Sequence, residues 1–350
     1  MVHIREVVSA LRNRGHRVDL VSRPPGRSYI TASLLLFFRL LKSLNEYDVI
    51  YARDFHTVII AFLPRRIFKK RLVFEINGLA SEEQKLKGNS VFRHILSFSI
   101  GRAERIAANY SDRIISVTPQ IADYLIRSFN CRPDKVKVVS NGVNTEKFHP
   151  IDDPVLLENF RKSLGIGQQE AVVAFVGNLA PWQGVEYLIR VAPSLLEISQ
   201  GLKYLIVGNG ALKGEFEDEV KRLGLSNLFI FTGTVDYENI PLYINIADIC
   251  VTFKKRLKSG YSPIKLYEYM ACGKPVVASR VEGLEFIEAE GAGQLAEPED
   301  TTSLRQVLLD LLRDSEKRVS MGRRGLQIVR EKFDWKKKVG EIEKVLEELA

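Results

Sequence analysis

A short segment in the last third of the chain carries the residue types best suited to chemistry. Lys265 and Glu268 stand three positions apart, and Pro263 and Ser262 stand two and three positions before Lys265. A serine followed by a proline is typical of the start of a helix, so Lys265 would lie in the first turn. Free amides at a helix N-terminus bind anions, and a carboxylate one turn further on can accept hydrogen bonds from sugar hydroxyls. The segment therefore predicts a site for a phosphate and a ribose, the parts of a nucleotide-diphosphate sugar. The alternative is an ordinary core helix with Glu268 in solvent.

The composition indicates a protein of two domains with hydrophobic cores. The chain has 350 residues, of which 45% are hydrophobic, and chains of this size usually divide into domains. Its three cysteines have neither a metal-binding spacing nor a disulfide pattern, which fits a reducing compartment. The most apolar stretch, within residues 30–44, is interrupted by Arg39 and Lys42 and is too short to span a bilayer. The start of the chain shows no secretory leader pattern, so we expect a cytoplasmic protein.

Charge is distributed unevenly along the chain. Residues 1–150 hold 25 Lys and Arg against 13 Asp and Glu, a net charge of +12, whereas residues 151–350 hold 26 against 30. This asymmetry predicts an anionic partner for the first half, such as membrane lipid, a lipid-linked phosphate or nucleic acid. The basic stretch 65–71 has no nucleic-acid-binding motif beside it, so nucleic acid is not favoured. For a helix at 30–44, core packing is the leading interpretation, and an apolar face that adds to a membrane contact is the alternative. For the charge asymmetry, a solvated basic surface is the alternative.

Short apolar runs alternate with helical patterns throughout. Nearly continuous apolar character is typical of parallel strands that are covered on both faces. The implied fold class is α/β, with two doubly wound, Rossmann-like parallel-sheet domains in tandem and ligands outside the carboxyl ends of the strands. The predicted strands are 17–22, 48–53, 71–77, 113–118, 136–140, 171–177, 203–208, 228–233, 249–253 and 275–279.

The two ends of the first domain read differently. A polar link flanked by prolines, near residues 148–154, predicts the domain boundary, so we expect an N-terminal domain at 1–150 and a C-terminal domain at 151–332. The opening residues have a helical pattern, although a doubly wound domain normally starts with a strand and a glycine-rich loop. We therefore expect that first strand and glycine loop to be absent. Either the chain begins late relative to its relatives, or its activity is impaired.

Motifs along nearly the whole chain resemble those of the group 1 family of retaining nucleotide-sugar glycosyltransferases (family 4-like), which have the GT-B fold. The motifs are VSNGVN at 139–144 with Phe148 and Pro150, FVGNLAPWQG at 175–184, LIVGNG at 205–210, FTGTV at 231–235, ADI at 247–249 and SGYSPIKLYEYMACGKPVV at 259–277. The resemblance implies transfer of a sugar from a UDP- or GDP-linked donor, bound by the C-terminal domain, to a glycan, lipid-linked or other anionic acceptor, bound by the N-terminal domain. It implies no cofactor and no metal, and a protein that is cytoplasmic or peripheral on the inner face of the cell membrane.

The resemblance also assigns roles to individual residues. Glu268 would bind the ribose, the backbone near Val235 would contact the base, and Asn77 and His56 would be catalytic residues from the N-terminal domain, with a capping or packing role as the alternative for His56. A second helix N-terminus, after the loop at 178–184, would face the first. The other donor-binding residues are Gly177, Asn178, Gln183, Gly184, Gly260, Tyr261, Ser262, Ile264 and Lys265.

Several positions depart from the pattern of the family. Asn178 and Gln183 stand where many members have Arg and Lys on the diphosphate. Gly260 replaces the first glutamate of an acidic pair, and Asn77 replaces a histidine. In one reading Lys265, helped by the basic run 254–258, supplies the missing charge. A non-catalytic nucleotide-sugar-binding protein is the alternative function. A nucleotide-sugar epimerase would need more acidic and histidine groups than this site offers.

The end of the chain resembles the segment by which GT-B enzymes return to the first domain. We expect a helix from Trp335 to Leu349, within a third segment at 333–350. Its apolar positions fall at helical spacing, so they should be buried against the N-terminal domain. These positions are Val339, Ile342, Val345, Leu346 and Leu349.

Overall fold

A computed structural model describes residues 2–22, 26, 28–86, 90–196, 201–254 and 260–349. The chain forms two compact units, which are built from the described residues of the following ranges. The first unit has Met1–Asn141, Lys258–Ser262 and Trp335–Ala350, and the second has Gly142–Leu257 and Pro263–Asp334.

Helices and strands alternate along most of the chain. In order they are α1 (Val2–Asn13), α2 (Tyr29–Ser43), β1 (Val49–Ala52), α3 (Phe55–Ile67), β2 (Arg71–Ile76), α4 (Ala80–Leu86), α5 (Val91–Tyr110), β3 (Arg113–Ser116), α6 (Pro119–Phe129), β4 (Val136–Val138), α7 (Pro154–Ser163), β5 (Ala171–Val176), α8 (Val185–Leu196), β6 (Leu202–Val207), α9 (Lys213–Arg222), β7 (Phe229–Gly233), α10 (Ile240–Asn245), β8 (Ile249–Thr252), α11 (Ile264–Ala271), β9 (Val276–Ser279), α12 (Phe286–Ala289), β10 (Gly293–Ala296), α13 (Thr301–Arg313), α14 (Ser315–Ile328) and α15 (Trp335–Glu347).

The first unit is built on a parallel sheet with the strand order β1–β2–β3–β4. Successive side chains of a strand point to opposite faces. Leu72 and Phe74 of β2 therefore join the core beneath α2, α3, α5 and α6, whereas Val73 of the same strand packs beneath α1 and α15. Side chains cap all four helices of this core, each by accepting a hydrogen bond from a backbone amide of the first turn. The caps are Ser28 for α2, Asp54 for α3, Ser90 for α5 and Thr118 for α6.

Helices α1 and α15 pack together over the second face of this sheet. The predicted apolar stripe of α15 is buried there at Val339, Ile342 and Val345, together with Trp335. At the polar edge of the pair, the Glu343 carboxylate accepts hydrogen bonds from Arg14 Nη1 and His16 Nε2, each at 2.7 Å. The helical pattern at the start of the chain is confirmed, because α1 is the first described element.

The second unit contains a parallel sheet with the strand order β10–β9–β8–β5–β6–β7. Its core is covered by helices that include α8 and α13, which lie side by side. Backbone segments approach one another closely at the carboxyl ends of β5 and β6. A side chain at Gly208 would overlap the carbonyl oxygen of Gly177, so a glycine is required at position 208.

The predicted two-domain, Rossmann-like α/β fold is confirmed, and nine of the ten predicted strands are present. The strand predicted at 17–22 is wrong. The Val18 carbonyl there accepts two hydrogen bonds from the Arg12 guanidinium and is not part of a sheet. Strand β10 was not predicted, because GQLA has little apolar character. None of the described helices has the length and apolar content that a membrane span requires.

Candidate active site

Helix α11 carries both Lys265 and Glu268. The predicted helix is confirmed, with Lys265 in its first turn, but Ser262 is not its N-cap. Pro263 occupies that position without a side-chain hydrogen bond. The Ser262 hydroxyl instead accepts a hydrogen bond from the Asn141 amide at 3.0 Å, and Asn141 Nδ2 donates to the Ser262 carbonyl at 2.9 Å. No side-chain cap therefore accepts a hydrogen bond from the first backbone amides of α11.

Lys265 turns its ammonium group towards the carboxyl end of β5. Its Nζ donates to Gln183 Oε1 at 2.8 Å and lies 4.1 Å from the centroid of the Phe175 ring. A Cβ atom added at Gly177 would lie 2.5 Å from this nitrogen, so the missing side chain of Gly177 makes room for the lysine. Burial, and then the charge of Lys254, holds the pKa of Lys265 well below its usual value. An anion beside Nζ would oppose both effects.

Lys254, two residues after β8, brings a second cation into this region. The residue is buried, and burial lowers the pKa of its ammonium group to about 8. The Ser279 hydroxyl fixes the backbone here, because its Oγ accepts from the Lys254 amide at 2.6 Å and donates to the Lys254 carbonyl at 2.7 Å. Residues 255–258, the rest of the basic run that the sequence suggested as a phosphate cover, lie outside the described residues.

Glu268 is buried one turn after Lys265, so the alternative in which it lies in solvent is wrong. Burial raises the pKa of its carboxyl group to about 7, while a hydrogen bond from Tyr237 and the charges of Lys265 and Lys147 lower it. The Tyr237 hydroxyl donates to Glu268 Oε1 at 2.9 Å. Val235 lies half-buried two residues before this tyrosine, just after β7. Tyr237 therefore links the Glu268 carboxylate to the segment that follows β7.

The loop at 178–184 leads directly into α8, as predicted. Asn178 is exposed and Gln183 is half-buried against Lys265. Gly184 has a φ of 70°, and a side chain there would overlap the carbonyl oxygen of Phe253, so the backbone can follow this path only with glycine. The second unit therefore brings Gly177, Gln183 and Lys265 into one cluster.

The remaining predicted residues of the 260–264 segment divide between the two units at Pro263. In the first unit, Gly260 has a φ of 63°, and a Cβ atom there would lie 2.6 Å from Gln120 Oε1. Tyr261 is buried, and burial raises the pKa of its hydroxyl group. Ile264, the first residue of α11, is half-buried and belongs to the second unit.

The two predicted catalytic residues of the first unit follow adjacent strands. His56 is the second residue of α3, after β1, and its Nδ1 lies 3.6 Å from Asp54 Oδ1, the carboxylate that caps this helix. Its ring packs on Phe55 with 3.7 Å between centroids. Asn77 is exposed after β2 and donates from Nδ2 to Glu75 Oε1 at 2.5 Å. Their catalytic roles stay predictions.

Sequence reasoning missed the polar cluster around Glu75. This carboxylate is 1% exposed at the end of β2. It accepts hydrogen bonds from the Tyr51 hydroxyl and from Arg53 Nε, the latter at 3.0 Å, and His3 Nε2 lies 3.4 Å away. Burial lowers the pKa of His3 to about 4, which leaves its imidazole neutral at neutral pH. The available signal was a glutamate inside the apolar run LVFEI.

Comparison with known families identifies the chain. A sequence model described as "Glycosyl transferases group 1" matches residues 157–327, and one described as "Glycosyltransferase Family 4" matches residues 2–147. An uncharacterised glycosyltransferase of Methanocaldococcus jannaschii is 28% identical over 373 residues, which cover 95% of this chain and 90% of that protein. The D-inositol 3-phosphate glycosyltransferase of Corynebacterium efficiens is 28% identical over 302 residues, which cover 83% and 68%.

Solved structures have the same fold. Sucrose-phosphate synthase of Thermosynechococcus elongatus superimposes with a TM-score of 0.78 at 19% identity, over 99% of this chain and 92% of that chain. Anabaena HepE in complex with UDP gives 0.76 at 21%, over 98% and 89%. At such identities these structures establish the two-domain, Rossmann-like GT-B fold alone. The two family matches, which together span residues 2–147 and 157–327, show that the chain is a glycosyltransferase of the group 1 family.

Proposed function

We propose that the second unit binds a nucleotide-diphosphate sugar, with the diphosphate on Lys265 and the ribose on Glu268. The observation that carries this proposal is the position of Lys265 Nζ, held by Gln183 Oε1 and enclosed where Gly177 lacks a side chain. A partly buried ammonium group whose pKa is lowered by burial gains most from an anionic ligand. The Anabaena structures with UDP and UDP-glucose support a UDP-linked donor.

We propose transfer with retention of anomeric configuration and without a divalent metal. The leaving diphosphate would be stabilised by Lys265 and by the N-termini of α8 and α11. The acceptor hydroxyl would attack the anomeric carbon on the face that the diphosphate leaves. The new carbon–oxygen bond forms as the bond to the phosphate oxygen breaks, and the hydroxyl proton passes to that phosphate oxygen. Asn77 and His56 are the proposed contributions of the first unit.

The proposed acceptor is a glycan, lipid-linked or other anionic molecule, bound by the first unit. The net charge of +12 over residues 1–150 supports an anionic acceptor. The name of the Corynebacterium relative specifies D-inositol 3-phosphate, a small anionic acceptor. We also propose a cytoplasmic enzyme that attaches peripherally to the inner face of the cell membrane.

Calorimetry with UDP and GDP, with and without a chelator, tests the donor site. Lys265→Met keeps the apolar stem and removes the charge, so nucleotide affinity should fall by about 1.5–3 kcal/mol, or about 10- to 150-fold. Lys203→Met is the matched control, because Lys203 Nζ donates to the Asn227 carbonyl at the opposite end of β6. Binding that the chelator abolishes, or that Lys265→Met leaves unchanged, would contradict the proposal.

Turnover separates an enzyme from a non-catalytic binding protein. Proton NMR of the wild-type chain with UDP-glucose and candidate acceptors should show donor consumption, and the anomeric signal of the product should match the α configuration of the donor. A β product would contradict retention. Tight nucleotide binding without turnover of any donor would favour the binding protein that Asn178 and Gln183 suggest.

A further inference from the structure

Three helices of the first unit form one layer on a single face of its sheet. Helix α3 packs beside both α2 and α5. Each helix directs one apolar stripe into the core beneath it, for example Leu36, Val58 and Ala107. A surface helix normally carries polar residues on its opposite side. These three helices do not follow that rule.

Most of the exposed large hydrophobic side chains in the described part of the chain lie on the outer sides of α2, α3 and α5. Among the described residues, twenty large hydrophobic side chains are exposed, and fourteen of them belong to these helices. They are Ile30, Leu34, Leu35 and Phe38 on α2, Ile59, Leu63 and Ile67 on α3, and Val91, Phe92, Ile95, Leu96, Phe98, Ile106 and Tyr110 on α5. We call these fourteen residues the α2–α3–α5 face. Exposed apolar patches of this extent mark interaction sites.

The exposed charges on the same helices have one sign. The exposed cations are Arg39, Lys42, Arg66, Arg102 and Arg105, and Arg65 and Arg93 are half-buried. The single acidic residue in the three helices, Glu104, is buried, and its carboxylate accepts from the Ala80 amide and the Ser81 hydroxyl. Arg65 is paired with Asp112 at 2.8 Å. The outer surface of these helices therefore presents cations without acidic side chains.

Some of these cations lie over aromatic rings. The Arg102 guanidinium is 5.9 Å from the centroid of the Phe98 ring, and that of Arg66 is 5.0 Å from the Phe62 ring. Phe62 in turn contacts Tyr110 of α5 with 4.7 Å between centroids. Cationic and apolar groups are thus interleaved and continuous from α3 to α5. Such a surface suits a boundary where anionic head groups meet acyl chains.

We propose that the α2–α3–α5 face docks on an anionic membrane surface. The apolar side chains would enter the boundary between head groups and acyl chains, and the arginines and lysines would contact anionic head groups. The exposed charges on this face are all positive. Anionic lipid head groups complement them, whereas an apolar protein partner would not, so the charge favours lipid. This inference extends the proposed membrane attachment and is independent of the proposed donor site, whose cluster lies in the second unit.

Vesicle sedimentation of the full chain tests the docking face. Wild-type protein should bind vesicles of phosphatidylcholine mixed with phosphatidylglycerol more strongly than vesicles of phosphatidylcholine alone, and added salt should weaken binding. Phe92→Ser with Phe98→Ser should reduce partitioning at least about tenfold, since both side chains are exposed. The matched control is Val155→Ser with Val319→Ser, which removes exposed apolar side chains elsewhere and should bind like wild type.

Melting temperature, sedimentation velocity and UDP calorimetry on the same samples keep the outcomes distinct. Wild-type protein that does not bind the anionic vesicles, or a Phe92/Phe98 variant that binds them as wild type does, would overturn the proposal. A wild-type dimer that this variant converts to monomers would instead make the face a contact between copies. Vesicle binding with no UDP binding would refute the donor site and leave the docking face supported.

Discussion

Replacing Tyr237 by phenylalanine removes one hydroxyl group from the candidate site and leaves the ring in place. That hydroxyl donates to Glu268 Oε1 at 2.9 Å. The ring has its own supports, since its centroid is 5.5 Å from that of Phe148 and 3.9 Å from Lys147 Nζ. Tyr237→Phe therefore tests a single hydrogen bond to a buried carboxyl group.

The effect on stability should grow with pH. Burial raises the pKa of Glu268 from 4.5 to about 7, so the buried carboxylate lowers the free energy of unfolding as pH rises through this interval. Loss of a neutral hydrogen bond costs about 0.5–1.5 kcal/mol, and loss of one to a charged group about 1.5–3 kcal/mol. Tyr237→Phe should therefore reduce the free energy of unfolding by the smaller amount near about pH 5 and by the larger amount near about pH 8.

The same substitution should shift the pH dependence of nucleotide binding. If the ribose bonds to ionised Glu268, UDP affinity rises as pH increases through about 7 in the wild type. The Tyr237 hydrogen bond lowers the pKa of Glu268, so its loss should move this rise to higher pH. Tyr243→Phe is the control, because Tyr243 packs on Phe160 in the same unit. Urea titrations and calorimetry that show no pH-dependent difference between Tyr237→Phe and wild type would refute the reasoning.

Three further substitutions and a truncation probe the rest of the structure. Glu268→Ala should weaken UDP binding by about 1.5–3 kcal/mol in calorimetry without unfolding the protein; a variant that unfolds while affinity is unchanged would make Glu268 structural. Glu75→Gln should lower the free energy of unfolding in urea by about 1–3 kcal/mol, because it weakens hydrogen bonds from Arg53 and Tyr51; an unchanged midpoint would contradict this. Gly177→Ala should lower UDP affinity by displacing Lys265, and equal affinity would contradict the described cluster. Deletion of 336–350 should increase hydrogen exchange in the first unit more than in the second, and the reverse would contradict the packing of α15.

The fold could be predicted from the sequence because most strands are short runs of apolar residues. Nearly every β run is apolar on both faces, as in β5 (AVVAFV) and β6 (LKYLIV), and this follows from burial on both sides of a parallel sheet. The helix expected after the loop at 178–184 begins at Val185. The segment 17–22 (RVDLVS) also has apolar, β-branched residues, but its Val18 carbonyl accepts hydrogen bonds from the Arg12 side chain. A strand needs a partner, and composition does not say whether one is available.

The site was less predictable because its polar groups find partners far along the chain. Ser262 has the local signature of a cap, but its hydroxyl bonds to Asn141, 121 residues away. Glu75 accepts a hydrogen bond from Arg53, just after β1, and lies close to His3 of α1. These residues are too far apart in the sequence for a local pattern to reveal the cluster. Lys265 and Glu268 were found because one helical turn places both of them. Their contacts, Gln183 and Tyr237, could be named only from the folded chain.

The hydrogen bond between Gln183 and Lys265 accounts for one departure from the family pattern. It also predicts that restoring the family's residue at position 183 destabilises this protein. The family motif that this loop resembles has a lysine at the position of Gln183, so by that resemblance Gln183→Lys looks like a restoration. In this protein Gln183 Oε1 accepts a hydrogen bond from Lys265 at 2.8 Å, and Lys254 already lowers the pKa of Lys265. A third ammonium group would replace the acceptor with a like charge.

Gln183→Lys should therefore lower the free energy of unfolding by about 1.5–3 kcal/mol or more, the contribution of the lost hydrogen bond to a charged group. The loss of stability should shrink at high pH as the ammonium groups deprotonate. Exchanging the two side chains, Gln183→Lys with Lys265→Gln, should recover part of the loss, because one cation and one amide again face each other. A double-mutant cycle in urea measures this coupling. A coupling energy near zero would mean that the two positions act independently and that the charge of the donor site does not depend on this pair.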